Sequence, residues 1–238
     1  MSNAVGVVAE LSRFPVKSMA GERLAELELR WPGVHGDRQY GFYRARDRTR
    51  FPWLTAREVP GLVLHRPAFR VPGDPRRSPV DVVAPSGERV PLDAPALASR
   101  LSEEAGEEVR LLQVGRGIYD SMPVSLATTA SLSAIEAAHG AALDARRFRL
   151  NIVVDSGSAD AAWRSGRLVF GDRDDGAQLL VNDAIPRCSL ITVDPDTAER
   201  DASVLRTVVR GFGNSVGVYC STAKPGAIRL GDAVRLHG

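Results

Sequence analysis

Short apolar runs, each closed by Gly, Pro or Asp within ten residues, limit this chain more than any other feature. In the first part they fall at 5–14, 24–29, 39–43, 62–69, 80–83 and 89–92, and each carries the β-branched, aromatic or alternating apolar positions of a strand. Trp31-Pro-Gly33 and Val71-Pro-Gly-Asp-Pro75 supply the fixed φ and the steric freedom that tight turns need. Leu97 and Leu101, four apart, predict a helix over 94–105 that ends near Gly106. A strand follows at 109–114 and another at 124–128. A second helix is expected over 129–139, with Thr129 or Ser131 as its cap and Gly140 as its stop. Strands return at 151–154, 168–170, 178–181, 190–193, 216–221 and 233–236, interrupted by a helix over 198–210. Many strands, few helices and no regular β-α alternation give an α+β, β-barrel-rich fold and argue against a doubly wound sheet.

At 238 residues the chain is one large domain or two small ones. Its 31 basic and 29 acidic residues nearly balance, at a formal +2, which excludes a polybasic nucleic-acid binder. Only Lys17 and Lys224 are lysines, so 29 of the 31 basic residues are arginine. Genomic base composition accounts for the bias as a whole, while individual arginines stay candidate anion ligands. Cys188 and Cys220 are the two cysteines and no C-x-x-C is present, so a reducing, cytoplasmic compartment is the simpler reading. The run 5–9 is too short for a signal-peptide core, and no stretch nears the ~20 apolar residues of a membrane span.

Several common chemistries lack their motif. There is neither a G-x-x-x-x-G-K-[ST] phosphate loop nor a G-x-G-x-x-G after a strand. His35, His65, His139 and His237 show no metal-ligand spacing. Gly213-Asn-Ser215-Val-Gly217 matches a nucleophile elbow in letters only, because a glycine-rich loop precedes the serine and a strand follows it.

The informative set is Phe14-Pro-Val-Lys-Ser18, Gly36-Asp-Arg38, Leu54-Thr-Ala-Arg57, Arg146-Arg-Phe-Arg-Leu-Asn151, Pro186-Arg-Cys188 with Thr192-Val-Asp-Pro-Asp-Thr197, and Gly226-Ala-Ile-Arg-Leu-Gly-Asp232. In this order it resembles the MOSC family, named for the C-terminal domain of molybdenum cofactor sulfurase. The resemblance implies an N-terminal MOSC-type β-barrel over 1–92 packed on a MOSC domain over 93–238. Within the family the chain is similar to amidoxime-reducing proteins.

The implied cofactor is the molybdenum cofactor, whose phosphate tail suits arginine forks, a lysine charge and free N–H groups at a helix start. Lys17, Ser18, Arg38, Arg57, Arg147, Arg149 and Arg187 are the candidate ligands, with Thr128 and Ser131 adding hydroxyls at the start of the second helix. Asn151 offers an amide to the pterin edge, and Tyr219 matches a position near the cofactor in some members. Cys188 matches the family's molybdenum ligand or proposed sulfur carrier; Arg187 beside it favours the thiolate, which suits the metal. Cys220 is read as core. Asp120 stands where many members place an acid and is the candidate proton donor, with an Asx turn before Pro123 as the alternative.

Two departures stand out. Met19 occupies a position that is Cys in many members, and the 156–163 stretch, expected to border the pocket, carries Asp160 where an acidic pair is more usual. The first function implied is reductive removal of oxygen from small N-hydroxylated compounds, with an external redox protein as electron donor and no nucleic-acid or membrane partner. A second is a Cys188 persulfide carrier for sulfur-containing substrates, which would need a separate desulfurase. A third is a cofactor carrier without turnover.

Overall fold

The computed structural model describes residues 3–238. The first half contains β1 (Asn3–Arg13), β2 (Glu22–Arg23), β3 (Glu26–Arg30), β4 (Gly33–Val34), β5 (Tyr40–Arg44), β6 (Arg66–Phe69), β7 (Val80–Val83), β8 (Arg89–Pro91), α1 (Pro95–Ala105) and β9 (Val109–Gln113). Then come β10 (Val124–Thr128), α2 (Thr129–His139), β11 (Ile152–Asp155), β12 (Arg167–Phe170), β13 (Gln178–Pro186), α3 (Ala202–Gly211), β14 (Ser215–Lys224), β15 (Gly226–Arg229) and β16 (Ala233–His237).

Seven strands close a barrel in the order β11-β10-β14-β13-β12-β16-β1, with β1 pairing back onto β11. The fold is therefore β-rich α+β, as the sequence implied. Alternation puts Val8, Leu126, Ile152, Val154, Leu168, Phe170 and Val218 into one interior cluster with Trp163 and Cys220, as the period-two geometry of strands requires. The intervening Ala127 and Val153 face the other way, as does Val216 beyond the left-handed Gly217, against Ile135 of α2 and Val204 and Val208 of α3. A second core gathers Val16, Met19, Phe42, Leu97 and Leu101 beneath β5–β9, the β6-β7-β8 sheet and α1.

Strand pairing crosses residue 92 freely. β1 belongs to a barrel built otherwise from residues beyond 123, β3 pairs with β15, and β5 pairs with β9.

Four local expectations are corrected. The 62–69 run is not one strand: Pro60–Leu64 forms a 3-10 turn before β6, since Pro60 fixes the helical φ at its start. The 190–193 run is a 3-10 turn as well, Ser189–Thr192, where Thr192 Oγ1 donates to the Ser189 carbonyl at 2.7 Å. The third helix begins at Ala202 rather than 198, because Asp201 caps it by accepting from Ser203 N. The cap of α2 is Thr128, which accepts from Ser131 N, and Gly140 ends that helix in the left-handed region. Cys220 is fully buried, and burial pushes its thiol up.

Candidate functional site

Four segments that carry positive charge meet where the barrel joins the second core. Lys17 and Ser18 follow β1, Arg38 precedes β5, and Arg147, Arg149 and Arg187 come from turns beside β11 and at the end of β13. Together with Arg57, Asp120, Cys188 and Tyr219 they line one cavity of about 100 Å³. Of the six non-glycine residues with positive φ among the described residues, three are Ser18, Arg38 and Arg149, and all three line this cavity. Such backbone geometry costs energy and collects at functional sites.

The cations hold each other's backbones in place. Arg38 pairs with the buried Asp37, whose other oxygen accepts the Phe14 amide at 2.7 Å, and it donates to the Arg149 carbonyl at 3.2 Å. Arg149 donates to the Met19 carbonyl at 2.6 Å. Arg147 reaches the Thr192 carbonyl at 2.9 Å and Asp194 at 2.7 Å. Arg187 spends its guanidinium on the carbonyls of Val216 and Phe148 instead of turning to Cys188. Phe14 carries both Arg38 and Arg149 on its ring, at 4.8 and 4.4 Å, while Phe51 lies under Lys17 and Arg57 at 5.1 and 5.2 Å.

This crowding of charge has an electrostatic signature. Burial brings the Arg149 guanidinium down to about 9, helped by its neighbour Arg38, and burial brings Arg187 down to about 10. Lys17 is buried and donates to Asp120 at 2.6 Å and to the Ile118 carbonyl at 3.2 Å. Its burial outweighs the help of Asp120 and leaves its ammonium below the usual lysine value. For Asp120, partial burial works the other way, but Lys17 and then Arg38 hold the carboxyl below its ordinary value. Asp120 is thus a charged counter-ion of Lys17, and the Asx-turn alternative is not what fixes it.

Buried N–H groups remain without a partner at the Nε of Arg147 and the Nη2 of Arg149. An unpaired buried donor is costly, and both belong to residues that line the cavity. The exposed sulfur of Cys188 lies on the same cavity, at the end of β13 and ahead of a 3-10 turn rather than a strand. Unpaired cationic donors and an accessible thiol are the donor set that an anionic cofactor with a sulfur-seeking metal requires, so the residues present fit the molybdenum cofactor. The enclosed volume is smaller than the ~300–1,000 Å³ of whole-ligand pockets. It admits a phosphate-sized group, and a longer ligand would extend through the open mouth.

Three expected residues are not brought to this cavity. Asn151 is fully buried, and its side chain accepts from Ser125 N and Oγ at 3.1 and 2.9 Å and donates to the Ser12 carbonyl at 3.2 Å. It latches β10 to β1, and its fully buried amide does not line the cavity where a pterin edge would sit. Thr128 is spent on the cap of α2, and the Ser131 hydroxyl accepts from the Asp160 amide at 3.2 Å. Asp160 in turn accepts from Thr128 N at 3.3 Å, so the 156–163 stretch braces the helix start and does not line the cavity. Burial holds the Asp160 carboxyl above its usual range.

Phe51, Ser125 and Phe148 line the cavity and were missed. Their signal was adjacency, since Phe51 precedes Leu54-Thr-Ala-Arg57, Ser125 lies in the strand before α2 and Phe148 stands between Arg147 and Arg149, but an aromatic or serine at such places is ordinary on its own.

Comparison with known families and structures agrees with this geometry. A family model described as the MOSC N-terminal beta barrel domain matches residues 5–113, and one described as the MOSC domain matches residues 115–235. Among solved structures, the YUAD protein from Bacillus subtilis is 15% identical with a TM-score of 0.54, over 100% of this chain and 99% of that one. The YiiM protein from Geobacillus stearothermophilus is 16% identical over 49% of this chain and 55% of that one, with a TM-score of 0.37. The first likeness supports the fold. No curated protein matches by sequence. No helix among the described residues is long and apolar enough to cross a membrane.

Proposed function

Because the chain belongs to the MOSC family, some of whose members bind the molybdenum cofactor, we propose that it holds that cofactor in the arginine-lined cavity and reduces small N-hydroxylated compounds. The observation that carries this reading is the convergence of six cations and one exposed thiol on a single cavity. When bound, the cofactor supplies a metal centre able to accept an oxygen atom and to take up electrons. Removing oxygen from an N-hydroxylated compound consumes two electrons and two protons and leaves an amine and water. The electrons come from a separate redox protein.

The chain's own residues bind, orient and deliver protons. Arg147 and Arg149 offer their unpaired N–H groups to the phosphate, and Arg38, Arg57 and Arg187 neutralise it. Cys188, just ahead of the Ser189–Thr192 turn and exposed on the cavity, would hold the metal through its sulfur. The Lys17–Asp120 pair sits across the same cavity, and its mobile proton rests on Lys17 Nζ. With its pKa lowered, that ammonium is a better proton donor than an ordinary lysine.

Metal analysis and the fluorescence of oxidised pterin test the reading on protein from a host that makes the cofactor. Near-stoichiometric molybdenum and pterin are expected in the wild type, with the metal lost from Cys188→Ala, followed by substrate-dependent reoxidation. Absence of both from the wild type rejects the reading. The exposure of Cys188 favours one second reading, a persulfide carrier, which would show cyanide-labile sulfur on Cys188 without metal. Cofactor without turnover would instead mark a carrier.

A further inference from the structure

A second cleft, of about 510 Å³, adjoins the first through consecutive residues: Asp37 lines the second and Arg38 the first. Its rim carries three exposed arginines, Arg30, Arg76 and Arg116. Arg30 pairs with Glu28, whereas Arg76 and Arg116 have no carboxylate partner among the described residues. Asp37 is the one carboxylate that lines the cleft, and its oxygens are taken by the Phe14 amide and by Arg38. It therefore does little to offset the rim charge.

Two further observations point to a ligand rather than to a solvated face. His35 lines the cleft with its side chain only 9% exposed; its Nδ1 meets Glu28 at 2.8 Å, and its Nε2 is buried without any partner. The backbone N–H groups of Gly115 and Arg116, in the loop after β9, have no acceptor among the described residues. Cationic side chains beside free backbone N–H groups form the concavity that phosphate oxygens favour. The cleft is far larger than a phosphate group and falls in the range of sites for small organic ligands. Tyr119, Pro32 and Val34 give it an apolar wall.

We propose that this cleft is a binding site for a small organic phosphate, with its phosphoryl group on Arg76, Arg116 and the 115–116 backbone and its body against Tyr119 and Pro32. The site stands independently of the cofactor assignment, because none of these residues lines the first cavity.

Calorimetric titration of the full chain tests it with three probes: adenosine monophosphate, glucose 6-phosphate and inorganic phosphate. At least one organic phosphate is expected to bind about tenfold or more tightly than inorganic phosphate, and the two organic probes tell an aromatic body from a sugar body. The double variant Arg76→Ser with Arg116→Ser is expected to weaken that binding about tenfold or more, with its circular dichroism unchanged. Arg57→Ala, which alters only the first cavity, is expected to leave it intact. The proposal falls if inorganic phosphate binds as well as the esters, or if none binds tighter than about millimolar. It also falls if Arg57→Ala removes the binding while the double variant keeps it, because the phosphate then sits in the first cavity.

Discussion

Asn151 shows how one side chain can be read correctly as important and wrongly as to what it does. Its place in Arg146-Arg-Phe-Arg-Leu-Asn151 was legible, but sequence does not show that both ends of its amide are consumed by Ser125 and Ser12. Asn151→Ala leaves those buried groups unpaired and should cost about 2 to 4 kcal/mol of stability by denaturant titration. The arginines were more legible, because a cation's chemistry does not depend on knowing its neighbours, whereas an amide's does. Lys17 carries a prediction of its own. Its folded pKa lies below the ordinary lysine value, because burial outweighs the pairing with Asp120, so the proton on Nζ is lost as pH rises through that lowered value. The alkaline limb of the reductase profile should fall earlier than for an ordinary lysine, and Lys17→Arg should move it upward. An unmoved limb would place the proton elsewhere.

At the level of elements, the barrel strands were legible wherever alternation ran for four residues or more, and the errors fell on short apolar runs. The start of the 62–69 run and the whole of 190–193 satisfy a 3-10 turn as well as a strand, and periodicity cannot separate the two at such lengths. This matters because the second of them directly follows Cys188. The start of α2 is a second instructive case. Free N–H groups at a helix start suggested an anion site, but an internal carboxylate, Asp160, already takes the amide of Thr128. That carboxyl has a folded value raised above its unfolded one. Its stabilising contribution is therefore fully present at acid pH and lost as pH rises through the raised value. Asp160→Asn should raise the melting temperature at pH 7, with the difference from wild type shrinking at pH values below the unfolded carboxyl range.

For the whole molecule, the two family segments meet near residue 114, yet hydrogen bonding ignores that border. β1 fills the gap between β11 and β16, so residues 115–235 produced alone would keep a barrel with a missing stave and two open edges. Such a fragment is expected to lack the near-ultraviolet dichroism of packed aromatic residues and to aggregate, and to recover order when residues 3–113 are supplied in trans. A fragment that is monomeric and cooperatively folded would show that β1 is dispensable. Fold class was visible in sequence because it depends on composition and run length. The threading of β1 was not, because nothing local in 3–13 names partners more than 140 residues away.

That threading also sets an order of events during synthesis. Asn3 pairs with Leu236, so β1 waits for β16, and the barrel closes only when β16 has also emerged from the ribosome. Contacts this distant in sequence slow folding, and the unpaired strands are exposed meanwhile to other nascent chains. The yield of active protein in a cell should therefore depend on how fast the chain is made and on which chaperones shield its β1 segment.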